Sequence, residues 1–272
     1  MVTRILLQTL MVVAMLIIAG CAGTPADVDE SDSLDLTTDL PADSNGNDGA
    51  EPSGDDDSVF SDPERALRDA GTFTSTWVWT ATDGDDVATY EMRHFVDLET
   101  NHSLVSTVNS DGSDDLLMDY YYVDGMEYMR MQTAGSGSTP TYIARQAEFE
   151  GDSIVYDNGY AYHDSGLSDW SDAGMTTFDG VSVREYVYTG SNYWLGARGD
   201  TAESDFDLRD VEFRMLVDSD GIARYQSFSV DGTDEDGTPQ TVEWEYTITD
   251  IGSTVVEDPD WFAEALAQTA GN

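Results

Sequence analysis

Apolar side chains that recur at every second position can bury one face of a sheet and no face of a helix. That pattern runs through most of this chain. In "TFTSTWVWTAT", residues 72–82, Phe73, Trp77 and Trp79 share a face with threonines opposite. In "TVEWEYTITDIG", residues 241–252, Val242, Trp244, Tyr246 and Ile248 point one way while Glu243, Glu245 and Thr247 point the other. "LLMDYYYVDGMEYMRM" reads as two strands joined by Asp124-Gly125, a dipeptide suited to the tightest hairpin turns. "VSVREYVYTG" and "VEFRMLVDSDGIARYQSFSVDG" continue in the same way. Strands at this spacing, joined by short turns, predict one strongly curved antiparallel sheet and a mainly β (α+β) fold. Residues 133–180 are rich in Gly and Ser with little period, so long loops and a short helix are expected there.

Short helices bracket the β region. In "SDPERALRDAG", Asp62 can cap the helix, Pro63 suits its first position and Gly71 can stop it. "EDPDWFAEALAQ" repeats the device with Asp258 as cap and Pro259 in the first turn. Trp261, Phe262, Ala265 and Leu266 then lie on one side.

Charge places the chain in its solvent. The 272 residues include 55 Asp+Glu against 11 Lys+Arg, for a formal net charge of -44. Every one of those bases is arginine. At low salt such a charge repels itself and opposes the compact state. At about 1 M salt the Debye length falls to roughly 3 Å and the repulsion is screened. The composition resembles that of proteins from salt-loving organisms, haloarchaea above all. Aromatic residues make up 11% and lie in alternating runs, which separates the chain from acidic disordered proteins. Nucleic acid is excluded as a partner on charge.

The amino-terminal stretch "MVTRILLQTLMVVAMLIIAGC" joins a basic start (Arg4) to an apolar run from Ile5 to Ala19. A bilayer-spanning helix needs about 20 apolar residues, and the apolar core of a secretory signal needs about 7–15. Ile18-Ala19-Gly20-Cys21 resembles a lipobox, in which cleavage after Gly20 leaves a lipidated Cys21 as the first mature residue. Cys21 is the one cysteine of the chain. Intramolecular disulfides are therefore ruled out, and the thiol stands where a thiolate nucleophile would take a lipid. One acyl chain gives only marginal anchoring, so a diacyl type is expected. Residues 24–62, rich in Asp, Ser, Gly and Pro, cannot bury enough apolar area to offset their ordering entropy. The expected organisation is a signal peptide at 1–20, a lipidated cysteine and disordered acidic stalk at 21–62, and one β-rich domain at 63–272. The protein is expected to be exported and held at the outer face of the cell membrane through Cys21.

Candidate chemistry is sparse. "DGTDEDGTPQTVE" approaches a calcium loop through Asp234, Asp236, Gly237 and Glu243. Gly232 occupies the first position and no helices flank it, so it reads as an acidic hairpin turn. "DSDG" at 218–221 reads as a turn too. His94, His102 and His163 show no zinc spacing. There is no G-x-S-x-G, no phosphate loop, and carboxylate pairs carry no information in so acidic a background. Neither enzymatic activity nor a cofactor or metal is expected. Asn101-His102-Ser103 is an N-glycosylation acceptor pattern at Asn101.

Aromatic and methionine side chains are what remain. Trp77, Trp79, Met118, Tyr120, Tyr122, Tyr128, Trp244 and Tyr246 are the candidates to face an apolar ligand. Methionine suits a lining that must adapt to varied shapes, and an apolar concavity left uncovered by few helices would mark a site. A lipid or other apolar small molecule is the expected ligand. The alternative is a surface protein-interaction or envelope-structural module without a small ligand, and the oligomeric state stays open.

Together, "IAGC", "ERALRDAGTFT", "YYYVDGMEYMR" and "VEWEYTITDIGSTVVEDPDWFAEA" resemble a haloarchaeal family of cell-surface lipoproteins of unknown function. The order of a helix followed by a β-meander and further hairpins is similar to the LolA/LppX type of half-barrel. The resemblance implies an unclosed barrel, partly plugged by helices, that accommodates lipid chains. It carries over no ligand-binding residue.

Overall fold

The computed structural model describes residues 63–112, 115–134, 137–159, 170–190, 207–234 and 236–269. The expected leader at 1–20, Cys21, the stalk, Asp62 and His163 lie outside the described residues. Every described element falls in the compact unit Val59–Asn272.

Eleven antiparallel strands form one open sheet, a half-barrel whose edge strands do not pair with each other. Helix α1 (Pro63–Ala70) leads into β1 (Thr72–Asp83), β2 (Asp86–Asp97), β3 (His102–Ser110), β4 (Leu116–Val123), β5 (Met126–Thr133) and β6 (Thr141–Gln146). Helix α2 (Gly151–Gly159) follows, then β7 (Ser171–Phe178), β8 (Val181–Thr189), β9 (Asp207–Val217), β10 (Ala223–Thr233), β11 (Pro239–Thr249) and helix α3 (Phe262–Thr269). The spatial order is β6-β5-β4-β3-β2-β1-β11-β10-β9-β8-β7. The chain starts in the middle of the sheet, winds out to one edge, crosses over, and winds back from the far edge. Strand β11 then closes beside β1, pairing Trp77 with Tyr246 and Trp79 with Trp244.

Local chemistry accounts for most boundaries. Gly71, at φ 75°, ends α1 with its N–H on the carbonyls of Leu67 and Arg68. Asp124 and Gly125 both have positive φ, 51° and 77°, which a two-residue hairpin turn with the sheet's own twist requires. At the other acidic turns the carboxylate organises the loop. Asp218 Oδ1 accepts the N–H groups of Asp220 and Ile222 at 3.0 Å each, and its Oδ2 takes Arg224 Nε at 2.6 Å. Asp234 Oδ1 accepts the Thr238 N–H at 2.7 Å, which makes the calcium-like stretch a hairpin turn.

Two expectations need correction. Residues 133–180 hold two strands, β6 and β7, besides the expected helix. Both are edge strands with mostly exposed or half-exposed side chains, so no apolar alternation announces them. At the carboxyl end the helix starts at Phe262, later than its sequence cap implies. The Asp258 carboxylate accepts the Tyr121 hydroxyl at 2.6 Å, and a turn closed by Phe262 N–H on the Pro259 carbonyl precedes the helix.

The core sits on both faces of the sheet, unequally. On the inner face, α1 and α2 pack Leu67 and Val155 against Phe73, Val96, Tyr246 and Ile248. An Arg68–Asp152 ion pair ties the two helices together. Helix α2, in the connection between β6 and β7, therefore lies over this face. On the outer face, Trp261, just before α3, and Ala265 of α3 pack against Tyr121 and Tyr128. Arg130 bonds the buried Asp119 carboxylate at 2.7 Å and lies over the Trp261 ring, 5.6 Å from its centroid. Elsewhere the outer face is rich in threonine and acid, with ion pairs such as Arg93–Glu91 and Arg214–Glu185 and scattered apolar residues such as Val78 and Leu216.

Candidate functional site

Strand register determines which side chains share the inner face, because directly paired residues point the same way. One line runs Tyr186, Met215, Gln226, Tyr246, Trp77, Met92, Thr107, Met118 and Met131 across nine strands. The next line towards the far end runs Tyr188, Phe213, Phe228, Trp244, Trp79, Tyr90 and Asn109. On the other side lie Ile248, Ser75, His94, Val105, Tyr120, Met129 and Ile143.

These rings touch in a continuous band. Trp77 lies 4.7 Å from Tyr246 and 5.7 Å from Trp244, centroid to centroid. Trp79 meets Phe228 edge-on at 5.3 Å, and Phe228 stacks on Trp244 at 5.6 Å. Phe213 and Tyr188 carry the band on to β8. Tilted and edge-to-face pairs at these distances are the favourable arrangements for aromatic quadrupoles. Trp77, Trp79, Tyr90, Met92, Met118, Tyr120 and Trp244 are half-buried.

Some polar atoms within the inner face are buried and unpaired. Ser75 Oγ, Trp79 Nε1, His94 Nε2, Gln226 Nε2 and Trp244 Nε1 are buried without a hydrogen-bond partner, and all five residues belong to the inner face. Burial holds the His94 imidazole down to about 4, so it is neutral near pH 7. Burial also pushes the Tyr90 hydroxyl up, against the opposing effect of its hydrogen bond with Thr107. Among the described residues, no group of three or more His, Cys, Asp or Glu converges as a metal site, and no helix is long and apolar enough to cross a membrane.

Two clefts lie away from the aromatic band. One, of about 570 Å³, runs between α3 and β5–β6, lined by Met126, Tyr128, Tyr142, Ile143 and Leu266 among others. The second, of about 370 Å³, lies near the β7–β8 and β9–β10 turns, beside Met175, Arg184 and Asp218.

Residues 6–265 match the family of unknown function DUF7537. The chain belongs to this family. Among solved structures it is similar to LprF from Mycobacterium bovis, at 10% identity and a TM-score of 0.38, over 74% of this chain and 95% of that one. It is also similar to the Mycobacterium tuberculosis lipoprotein LppX, at 12% identity and a TM-score of 0.32, over 71% of this chain and 95% of that one. No protein of curated function matches it.

In this family member, seven of the eight side chains singled out in the sequence (Trp77, Trp79, Met118, Tyr120, Tyr122, Trp244 and Tyr246) lie on the inner face. The eighth, Tyr128, lies on the outer face beneath α3, with its ring 4.9 Å from Phe262. Tyr246 is buried in the α1–α2 core, and Tyr122 packs on Phe149 at 5.3 Å. Asn101 is exposed at the β2–β3 turn with φ 55°, while Ser103 of the same acceptor pattern is buried in β3. Sequence reasoning missed Ser75, His94 and Gln226, whose significance depends on register. Phe213, Phe228, Tyr90 and Met92 were also missed, although their alternation within "VEFRMLV", "RYQSFSV" and "ATYEMRHF" was there to be read.

Proposed function

We propose that this protein is an exported lipoprotein, anchored at the outer membrane face through Cys21 and an acidic stalk. Its half-barrel binds a lipid or other apolar ligand non-covalently on the inner face. The salt-loving composition and the leader sequence support an external, high-salt setting. The observation that carries the ligand reading is the half-buried band of aromatic and methionine side chains across the inner face. Removing an apolar molecule from water onto such a surface is favourable at roughly 25 cal/mol per Å² of apolar area. Methionine and aromatic linings accept chains of varied shape, because the contacts they make are not directional.

The test is chemical. Protein isolated from membranes at high salt is expected to yield co-purifying lipid in an organic extract read by mass spectrometry. Cys21→Ser protein is expected to appear in the soluble fraction or as an unprocessed precursor. An extract indistinguishable from that of a control β-domain removes the ligand reading and leaves a protein-interaction module. Unchanged size and detergent-dependent extraction of the Cys21→Ser form removes the anchor.

A further inference from the structure

We infer that the β6 edge of the sheet is an interface between two copies of this chain, which pair antiparallel through Tyr142, Ala144 and Gln146 about a twofold axis at Ala144. The inference stands apart from the ligand reading, since it rests on the backbone of one edge and on the charge around it.

A half-barrel that does not close keeps two open edges, here β6 and β7. An open edge carries a row of unused N–H and C=O groups and invites another strand, so proteins ordinarily blunt it. Strand β7 is blunted. Its register with β8 breaks between Asp172 and Gly174, and Gly174, at φ 99°, donates its N–H to the Asp172 carboxylate at 2.8 Å. A bulge of this kind bends the strand and turns its edge away from a straight partner. Strand β6 has no such device. Its pairing with β5 runs unbroken from Thr141 to Gln146, and the strand contains no glycine, proline or acid. Its one charge, Arg145, is held by Glu127 at 2.7 Å.

The direction of the spare backbone groups follows from alternation. The Ala147 N–H bonds the Gly125 carbonyl, so Ala147, and with it Arg145, Ile143 and Thr141, turns its backbone groups towards β5. Tyr142, Ala144 and Gln146 then direct theirs to the open edge. A second β6 laid antiparallel with Ala144 opposite Ala144 brings Tyr142 opposite Gln146, and about six main-chain hydrogen bonds close the pair. Such a twofold contact is self-complementary, because one strand supplies both halves. It sets Arg145 across from Ile143, so the two copies of Arg145 are not opposed.

Charge selects the partner. Two copies with net charge -44 repel wherever acids face acids. In a chain with 55 acids among 272 residues, residues 128–147 hold none, the longest such stretch after the apolar leader. It spans most of β5 and all of β6. Glu127 and Glu264, which approach from β5 and α3, are engaged by Arg145 and by the Tyr142 hydroxyl. A basic partner would find its counter-charges elsewhere on the molecule; an acid-free edge suits a partner that is itself acidic. Pairing would cover Ile143, now 45% exposed, and lay the partner strand beside the cleft that Tyr142, Ala144 and Gln146 line. The twofold axis is perpendicular to the sheet, so both inner faces look the same way. Met131 and Ile143, the exposed apolar residues at this end of the inner face, then become one strip shared by two half-barrels.

Cross-linking reads the interface directly. Ala144→Cys puts a thiol on the twofold axis, where hydrogen-bonded pairs hold their Cα atoms about 5.5 Å apart, within the span of a disulfide. The full chain, purified at high salt and oxidised with copper phenanthroline, should run as a dimer on a non-reducing gel. Wild type, whose one cysteine is Cys21, sets the background. Met175→Cys on the β7 edge, at a position 61% exposed, should not exceed it. Added to Ala144→Cys, Gln146→Pro removes an N–H that the chain's own sheet does not use. It should cut the cross-linked fraction about tenfold, as two lost hydrogen bonds would. Gln146→Asp, which brings an acid towards the Tyr142–Glu264 bond of the other copy, should act likewise and serves if the proline variant fails to fold. Sedimentation of wild type at high salt reads the same association without a substitution. Equal cross-linking through Met175→Cys, or cross-linking that neither Gln146 variant reduces, marks random collision and overturns the inference. A monomer mass at every concentration overturns it as well. So does a sedimenting dimer that Ala144→Cys does not trap, because its interface lies elsewhere.

Discussion

His94 shows how a single side chain reports the environment of the inner face. It stands in the middle of β2, between Ser75 on β1 and Val105 on β3, with Nε2 sealed from solvent and from any protein acceptor. Burial disfavours the imidazolium and lowers the pKa from 6.5 to about 4. In the unfolded chain the imidazole takes up a proton as pH falls below 6.5, while the folded form stays neutral until about pH 4. The unfolded state then holds more protons, so stability declines as pH drops through that window and changes no further below it. The full loss from this residue is on the order of 3 kcal/mol. His94→Phe removes the titration and suits the apolar surroundings. Unfolding free energies measured at pH 7 and pH 4 should converge for the variant relative to wild type by about that amount. Parallel pH profiles for the two proteins would show that His94 is not held neutral.

Helix α3, with Trp261 in the turn just before it, secures the outer face, and the buried and exposed side chains of this segment should respond very differently to truncation. Trp261 is buried between Tyr142, stacked at 6.2 Å, and Arg130, and Ala265 is fully buried behind it. Leu266, one position on, is 42% exposed. Trp261→Ala should therefore cost about 3–5 kcal/mol, while Leu266→Ala should stay within about 0.5 kcal/mol. Urea unfolding at fixed high salt measures both, and equal losses would mean that α3 does not pack as described. The same elements show what could be read from the chain alone. Pro63 and Gly71 mark α1, Asp124-Gly125 marks a hairpin, and the alternation in β1 and β11 marks two central strands, because each is a local rule. The edge strands β6 and β7 were not legible, since an exposed edge needs no apolar alternation. Side assignment failed for Tyr128 because Met126, Tyr128 and Met129 make both faces of β5 apolar. Asp258 reads as a helix cap by position, but Tyr121, 137 residues away, claims its carboxylate. The unpaired polar atoms of the inner face become visible only when four strands, β10, β11, β1 and β2, are set in register.

At the scale of the whole molecule, two surfaces of opposite character divide the work. The inner face concentrates rings and methionines. The outer face carries acids such as Glu91, Glu243, Glu245 and Glu212 among threonines. Acids outnumber bases by 55 to 11, so ion pairing can neutralise only a minority of them. The remaining carboxylates repel one another over a Debye length of roughly 10 Å at 0.1 M salt, and over roughly 3 Å at 1 M. The compact state, which brings these charges together, should gain stability steeply as salt rises to about 1 M. Beyond that, screening has little left to remove, and the further gain should be shallow. Salt also strengthens apolar burial by exclusion from the surface, an effect that sucrose shares without screening charge. Melting temperature followed in rising NaCl, and in sucrose at matched osmolality, separates the two causes. A steep rise below about 1 M in NaCl, with only a small rise in sucrose, is the expected result. A melting temperature that ignores salt, or that climbs equally in both series, would mean that the charge of -44 is not what sets the stability of this fold.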